Sequence, residues 1–451
     1  MKTLRRLLFA TMMAVAAKGQ TFTVLHNFGS QAGDPRQPLL PGVIAQGTDG
    51  NLYSTSPKGG GRDMGTVFRV MPSGELSVVY NFDGTKGQTP YGGLTLGTDG
   101  NLYGTTFAGG ARNSGTIFRI TTSGELAVLY NFQGGNDGFG PYAPPIEGAN
   151  GDFFGTTGYG GTTGCGTVYK IAAGVFTTLH SFSQGDGCTP IGPLMLGTDG
   201  NLYGTTNLGG LRDFGEVFRL TPSGVFAISS LNGANGGYPF SGLIEGADGN
   251  FYGTTSQWGI FHWGTAFRAT PNGGLTPLYT FDGNTGAGGP YAGLVQANDG
   301  NLYGATFWGM SSNGTIYLLG PAGFMMLHNF EGPDGANPSV TLVQHTSGIL
   351  YGDTTNGGAN DQGTFYALDM RLQPFVGLVL NQGEAGRSVG ILGQGLRGAT
   401  NVSFNGSLAK FVVRADTFLI ATVPDTATTG YVTVQTAGGI LTSNREFVVR
   451  H

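Results

Sequence analysis

The chain has 451 residues, more than an ordinary single domain holds, which leaves room for a large repeat array with an appendage. Only 11% of the residues are charged while 85 are glycine, a composition that suits many tight turns. A formal net charge of −5 argues against a nucleic-acid partner, because a phosphate-binding surface needs clustered Lys and Arg.

The chain opens with Lys2, Arg5 and Arg6, followed by an apolar run over residues 7–17 with small residues near its end. That is the layout of an export signal, so residues 1–20 are expected to be removed and the mature chain to begin between residues 18 and 21. A short buried helix is the alternative. No later apolar stretch is long enough to cross a bilayer. The expected location is therefore outside the cytoplasm, secreted or at the cell surface, without a transmembrane segment.

From residue 21 to about residue 370 the sequence repeats itself. The segment Gly97-Thr98-Asp99-Gly100-Asn101-Leu102-Tyr103-Gly104-Thr105-Thr106 returns almost unchanged at residues 197–206. Weaker copies place aromatic residues at Tyr53, Phe154, Tyr252, Tyr303 and Tyr351, which gives seven units of roughly fifty residues. In the second unit, turn residues separate four short strands near residues 93–96, 101–106, 115–120 and 125–132, the make-up of a propeller blade. Asp99-Gly100 reads as a hairpin turn, since Gly accepts the positive φ it needs. Fourth strands like 126–132 recur at 76–82, 176–182, 226–232, 275–281 and 324–330, but none follows the last unit. The missing copy sits at residues 21–28. The front of the mature chain is therefore expected to supply the outer strand of the last unit and close a seven-bladed β-propeller, which protects sheet edges. An open β-solenoid is the runner-up and predicts no such offset.

The core of the unit, with its Gly-Gly loop and the strand Gly115-Thr116-Ile117-Phe118-Arg119-Ile120, resembles the GloVer-type glycine-rich tandem repeats of secreted bacterial proteins. The resemblance covers residues 21–368 and implies an exported repeat protein; it brings no catalytic residues with it.

Residues 371–451 lose the fifty-residue pattern. Alternating runs at 388–393, 401–406 and 431–436 read as a small β-sandwich. The segment with Gly383 and Gly386, the turn Gly393-Gln394-Gly395-Leu396, Val423-Pro424 and the close from Gly438-Gly439 to Phe447 resemble the TIG (IPT) immunoglobulin-like domain. That resemblance implies a spacer or adhesive module.

Chemistry-bearing groups are sparse. The repeated Asp-Gly-Asn is read as a turn before a calcium loop, which would need several converging oxygen donors. His26, His180 and His328 take the slot of Tyr80, Tyr130 and Tyr279, so they are expected to pack with a polar tip rather than to bind metal. The remaining histidines form no zinc spacing, and no nucleophile elbow or phosphate loop is present. No cofactor is expected. Cys165 and Cys188 are the only cysteines, and in an exported chain they are expected to form a disulfide, with two free buried thiols as the alternative.

The three tryptophans, Trp258, Trp263 and Trp308, lie in loops between second and third strands of the fifth and sixth units, with Phe261, His262 and Phe307 beside them. They are expected to form an aromatic patch for a polysaccharide or a cell-surface protein. Mutual packing of two enlarged loops is the equal alternative. The chain is thus read as a monomeric, non-catalytic binding or adhesion protein. An extracellular polysaccharide lyase or hydrolase and an architectural surface protein are the alternatives.

Overall fold

The computed structural model describes residues 19–39, 41–221, 224–283, 287–309 and 311–450. The expected export signal lies outside them except for Gly19 and Gln20. The described chain is all-β; its helical structure is one 3-10 turn, Leu396–Gly398. No helix among the described residues is long and apolar enough to cross a membrane.

The recurring motif folds as a self-contained hairpin. Asp99 accepts the N–H of Asn101 at 3.0 Å, its side-chain amide at 2.7 Å and the Tyr103 hydroxyl at 2.9 Å. Asp49, Asp199, Asp248 and Asp299 repeat all three contacts. The carboxylate is consumed within the turn, which fits the turn reading of Asp-Gly-Asn. In the third unit Asn150 replaces this Asp, and its aromatic partner is Phe154, which has no hydroxyl to place.

Four antiparallel strands follow in each unit. The second sheet, for example, contains Thr95–Leu96, Leu102–Thr106, Thr116–Ile120 and Leu126–Asn131 in that spatial order. Seven such four-stranded sheets lie between Thr21 and Asp369. The second strand is buried on both faces, as Leu102–Thr106 is along its whole length, because each sheet is covered by the next. Leu202 and Phe218 of the fourth sheet pack on Val168 and Phe182 of the third. Leu350 and Tyr366 of the seventh pack on Tyr303 and Ile316 of the sixth. Tyr351 and Phe365 of the seventh pack in turn on Leu52 and Phe68 of the first. The arrangement is propeller-like, and two-sided burial accounts for the scarcity of charge.

The outer strand of the seventh sheet is Thr21–Asn27, paired with Thr364–Asp369 from Thr21↔Asp369 to Asn27↔Thr364. Its register slips between Val24 and His26, at the same place as the slip between Ile117 and Phe118 in the second sheet. A strand from the far end of the chain thus reproduces the bulge of the covalently continuous units.

The innermost strands line a common cavity, and the last residues of five of them clamp neighbouring sheets. Glu147 of the third sheet accepts the Thr98 N–H at 2.7 Å and its hydroxyl at 2.6 Å. Glu245 does the same with Thr198 at 2.8 and 2.6 Å. Gln296 accepts from the Ala247 N–H and Gln344 from the Asn298 N–H. Between the first and seventh sheets Gln46 both accepts the Thr346 N–H and donates to its hydroxyl, each at 2.9 Å.

After Asp369 two further sheets enclose a separate core that includes Ile391, Phe404, Leu419, Val434 and Phe447. This unit sits on the Asp-Gly-turn end of the seven sheets. Thr417 donates to the Thr48 carbonyl at 2.8 Å, Arg450 to the Thr198 carbonyl at 2.6 Å, and Gln394 to the Thr346 hydroxyl at 2.8 Å. Its residues Leu378, Asn381 and Arg445 line a cavity together with the innermost strands.

Cys165 and Cys188 are joined in a disulfide, with Cα atoms 4.4 Å apart and a sequence separation of 23. The expected polar tips of the histidines find carboxylates: His180 meets Asp186 and His328 meets Asp334, both at 2.8 Å, and His26 lies 3.8 Å from Asp34. Tyr130 donates to Asp137 from the equivalent slot.

Candidate functional site

The loops between second and third strands emerge at the end of the sheets opposite the C-terminal unit, because each second strand starts at its Asp-Gly turn and runs to that far end. Four of these loops share one frame. Gly109 takes φ +79°, and its N–H is capped by Asn113 at 2.9 Å. Gly59 and Asp63, Gly209 and Asp213, and Gly357 and Asp361 do the same.

The fifth loop breaks this frame at both positions. Trp258 stands where the others have Gly, at φ +65°, and His262 stands where they have Asp or Asn, at φ +66°. The left-handed conformation costs a side-chain-bearing residue about 1–2 kcal/mol. The two new rings meet edge to face at 5.2 Å, and Trp258 meets Phe214 of the fourth sheet's loop at 4.9 Å. Trp258 is half-buried, and its indole N–H is enclosed without a partner.

Trp263 takes a slot that recurs just before each third strand. Its carbonyl accepts the Gly289 N–H as the Cys165 carbonyl accepts the Thr189 N–H. Cys165 there bonds to Cys188; in the fifth sheet an indole lies over glycine instead, and a Cβ on Gly288 would come within 2.8 Å of the Trp263 ring. Trp308 flanks the same segment from the other side. It belongs to the two-residue strand Trp308–Gly309, which pairs with Ala287–Gly288, so this part of the sixth loop is a short ladder. Phe307 packs at 4.8 Å on Trp308 and at 5.1 Å on Tyr291, which meets Phe240 at 5.0 Å.

The expected residues are thus brought to one end of the molecule but not to one depth. Phe261, Trp263 and Trp308 are 53, 41 and 40% exposed, His262 is exposed beside them, and Trp258 and Phe307 support them from below. Ile260, at 76% exposure, belongs to the same surface although its sequence context does not mark it.

A second aromatic group at this end escapes a reading of tryptophans alone. Tyr91 and Phe107 meet at 5.4 Å, Phe107 and Tyr142 at 5.0 Å, and Phe139 stacks on Tyr159 at 5.4 Å. The Tyr142 and Tyr159 hydroxyls lie 3.2 Å apart. Burial, and then the contact with Tyr159, push the Tyr142 hydroxyl well above its ordinary range. The signal was present: Tyr91, Tyr142, Phe240 and Tyr291 each follow a proline at the repeat period. Among the described residues no three His, Cys, Asp or Glu converge as metal ligands.

Comparisons with known proteins bear on the fold. Among solved structures, a fungal alcohol oxidase of the AA5 family in complex with copper is 16% identical, with a TM-score of 0.50 over 92% of this chain and 98% of that chain. A protein assigned as a gluconolactonase is 13% identical, with a TM-score of 0.42 over 79% of this chain and 94% of that one. A Dyadobacter fermentans protein of unknown function is 12% identical, with a TM-score of 0.42 over 78% and 99%. At such identities the first concerns the fold alone, and the other two carry no argument. No curated protein matches the chain. The sequence profile of the Gloeobacter/Verrucomicrobia repeat matches residues 9–143, 41–246 and 241–398. With the same turn-and-strand unit met seven times and a match that runs through most of its length, the chain belongs to the Gloeobacter/Verrucomicrobia repeat family.

Proposed function

We propose that the chain is an extracytoplasmic, non-catalytic protein that binds polysaccharide on the tryptophan-bearing end of a closed seven-bladed β-propeller. The C-terminal unit is then an IPT/TIG-type immunoglobulin-like domain that covers the other end. Packing of the seventh sheet on the first, and the N-terminal strand in the outermost place, support the closed propeller. The disulfide and the charged, then apolar start of the chain support export.

The observation that carries the binding reading is the joint replacement of Gly and Asx by Trp258 and His262. Trp258 brings left-handed strain to a place where its sisters are Gly, whereas the sisters of His262 are left-handed themselves, and the pair gains no backbone hydrogen bond; strain of this kind points to a role for the side chain. The exposed rings beside it offer flat apolar faces of the sort on which sugar rings stack. The carboxylates Glu147 and Glu245 are spent on structural clamps, which favours binding over acid–base catalysis. Each stacked ring contributes about 0.5–1.5 kcal/mol, so a polysaccharide that meets several rings is held while a monosaccharide is not.

The test is a screen of insoluble and soluble polysaccharides against the purified mature chain, read by pull-down and tryptophan fluorescence. Trp263→Ala with Trp308→Ala is expected to abolish binding and leave the melting temperature within a few degrees. Undiminished binding by that variant overturns the site. Release of new reducing ends or unsaturated sugars from a bound polysaccharide would favour the lyase or hydrolase alternative.

A further inference from the structure

The last strand, Gly439–Arg450, is interrupted by a wide bulge at the opposite end of the molecule from the tryptophans. Thr442 pairs with Thr433 and Glu446 with Tyr431, so residues 443–445 face the single residue Val432. Ser443 closes the bulge by accepting the Val432 N–H at 3.0 Å and donating to the Arg445 carbonyl at 2.6 Å. Bulges re-aim side chains, and this one brings Asn444 and Arg445 to the wall of a cavity of about 530 Å³ between the C-terminal unit and the innermost strands.

Arg445 reaches this cavity without a partner. Among the described residues it forms no ion pair, and neither its guanidinium nor the side-chain amides of Asn444 and Asn381, also on the cavity wall, have a hydrogen-bond partner. Burial pulls the guanidinium below its ordinary range, while the field of Glu245 acts the other way. Yet Glu245 has its two oxygens on Thr198, and Glu147, on the wall of the same cavity, has its own on Thr98. Arg445 is half-buried, and its forked donor, unmatched by protein and facing the cavity, is free to take the oxygens of a ligand. The two glutamates limit how much negative charge the site accepts. The remaining wall includes Leu96, Ile146, Leu196 and Val295.

We propose that this cavity binds a small aliphatic monocarboxylate, its carboxylate held in the fork of Arg445 beside Asn444 and Asn381, its chain against the aliphatic innermost strands. The site is separate from the tryptophan surface and does not depend on the polysaccharide reading.

Isothermal titration of the full mature chain with hexanoate, hexanol and inorganic phosphate tests it. Saturable binding of hexanoate, with neither hexanol nor phosphate competing at equal concentration, is expected. Loss of one charge-assisted pair makes Arg445→Gln weaken hexanoate binding by at least about tenfold. Arg445→Lys keeps the charge but loses the fork, and is expected to fall between the two. Trp263→Ala with Trp308→Ala is expected to leave hexanoate binding unchanged. Absence of hexanoate binding to the native chain, equal binding by Arg445→Lys, or stronger binding of phosphate than of hexanoate overturns the proposal. Should Arg445→Gln fail to fold, the Arg445→Lys comparison decides.

Discussion

Two sites depart from their sister positions at an energetic cost. Trp258 is left-handed where its counterparts are Gly, and its neighbour His262 replaces the Asx cap. Trp258→Gly together with His262→Asn restores the sister frame. This pair is expected to keep or raise the melting temperature, because strain of about 1–2 kcal/mol is removed, while polysaccharide binding falls. A marked loss of stability would show that the rings serve packing alone. Asp353 is the second case. It occupies the place of Thr105 in the second strand of the seventh sheet, is fully buried, and neither carboxylate oxygen has a partner. Burial raises its pKa well above the ordinary range, and the nearby Tyr366 hydroxyl is raised by burial and then by Asp353. The unfolded chain releases this proton near pH ~4, whereas the folded chain holds it to higher pH. Between those two points the folded state binds more protons, so stability falls as pH rises through the window. Asp353→Thr is expected to remove that slope, with a gain in melting temperature that is small at acid pH and grows toward neutrality. Parallel pH profiles for the two chains would contradict it.

Elements tolerate change when it comes in matched pairs. In the second sheet Thr116 bonds to Thr106, and Asn131 of the outer strand accepts the Ala111 N–H at 3.0 Å. The fourth sheet has Glu216 for that Thr and Ser230 for that Asn. Glu216 reaches across to accept the Leu211 N–H at 3.3 Å and the Ser230 hydroxyl at 2.6 Å. One carboxylate thus fills the place of two side chains. Glu216→Thr alone leaves the Leu211 N–H and the Ser230 hydroxyl unmatched and is expected to cost about 1–3 kcal/mol. Ser230→Asn alone crowds Glu216. The double variant is expected to be more stable than the sum of the singles predicts, a coupling read from denaturant melts of the four chains. The strand Thr21–Asn27 is matched in a different way, by sequence kinship with the outer strands at a distance of several hundred residues. Its removal bares the edge of Thr364–Asp369 and is expected to lower the melting temperature or cause aggregation. An unchanged melt would mean that the seventh sheet does not need its fourth strand.

Across the whole molecule one interface is used over and over, and the contact between the seventh and first sheets is built like the rest. Gln46 clamps Thr346 as Glu147 clamps Thr98, and Thr355 donates to the Pro38 carbonyl as Asn207 donates to that of Pro239. Extra contacts reinforce this junction: the buried His345 ring meets the Gly50 carbonyl at 3.0 Å. With every second strand sandwiched between neighbours, stability rests on apolar burial and side-chain clamps, and loop ends are left free to vary. The two ends differ because the C-terminal unit occupies one of them. Variation in aromatic content therefore accumulates at the other, which none of the described residues of the C-terminal unit covers.

The strand count, the turns and the displaced outer strand were legible in the sequence because each is local: a hairpin that uses up its own Asp, Asn and Tyr folds alike wherever it recurs. The pairing of Cys165 with Cys188 was legible for a related reason, since both lie in connections at one end of the same unit. The tryptophans were legible as a cluster by their rarity. Their depth was not, because it depends on which glycine lies beneath each ring, Gly237 for Trp258 and Gly288 for Trp263. Glu147, Glu245 and the three matching glutamines recur at one repeat position, but their role follows from packing between sheets, which a linear period does not express. Arg445 gave no signal at all. Its place in the cavity is decided by the bulge at residues 443–445 and by where the C-terminal unit docks, and both arise from contacts between segments far apart in the chain.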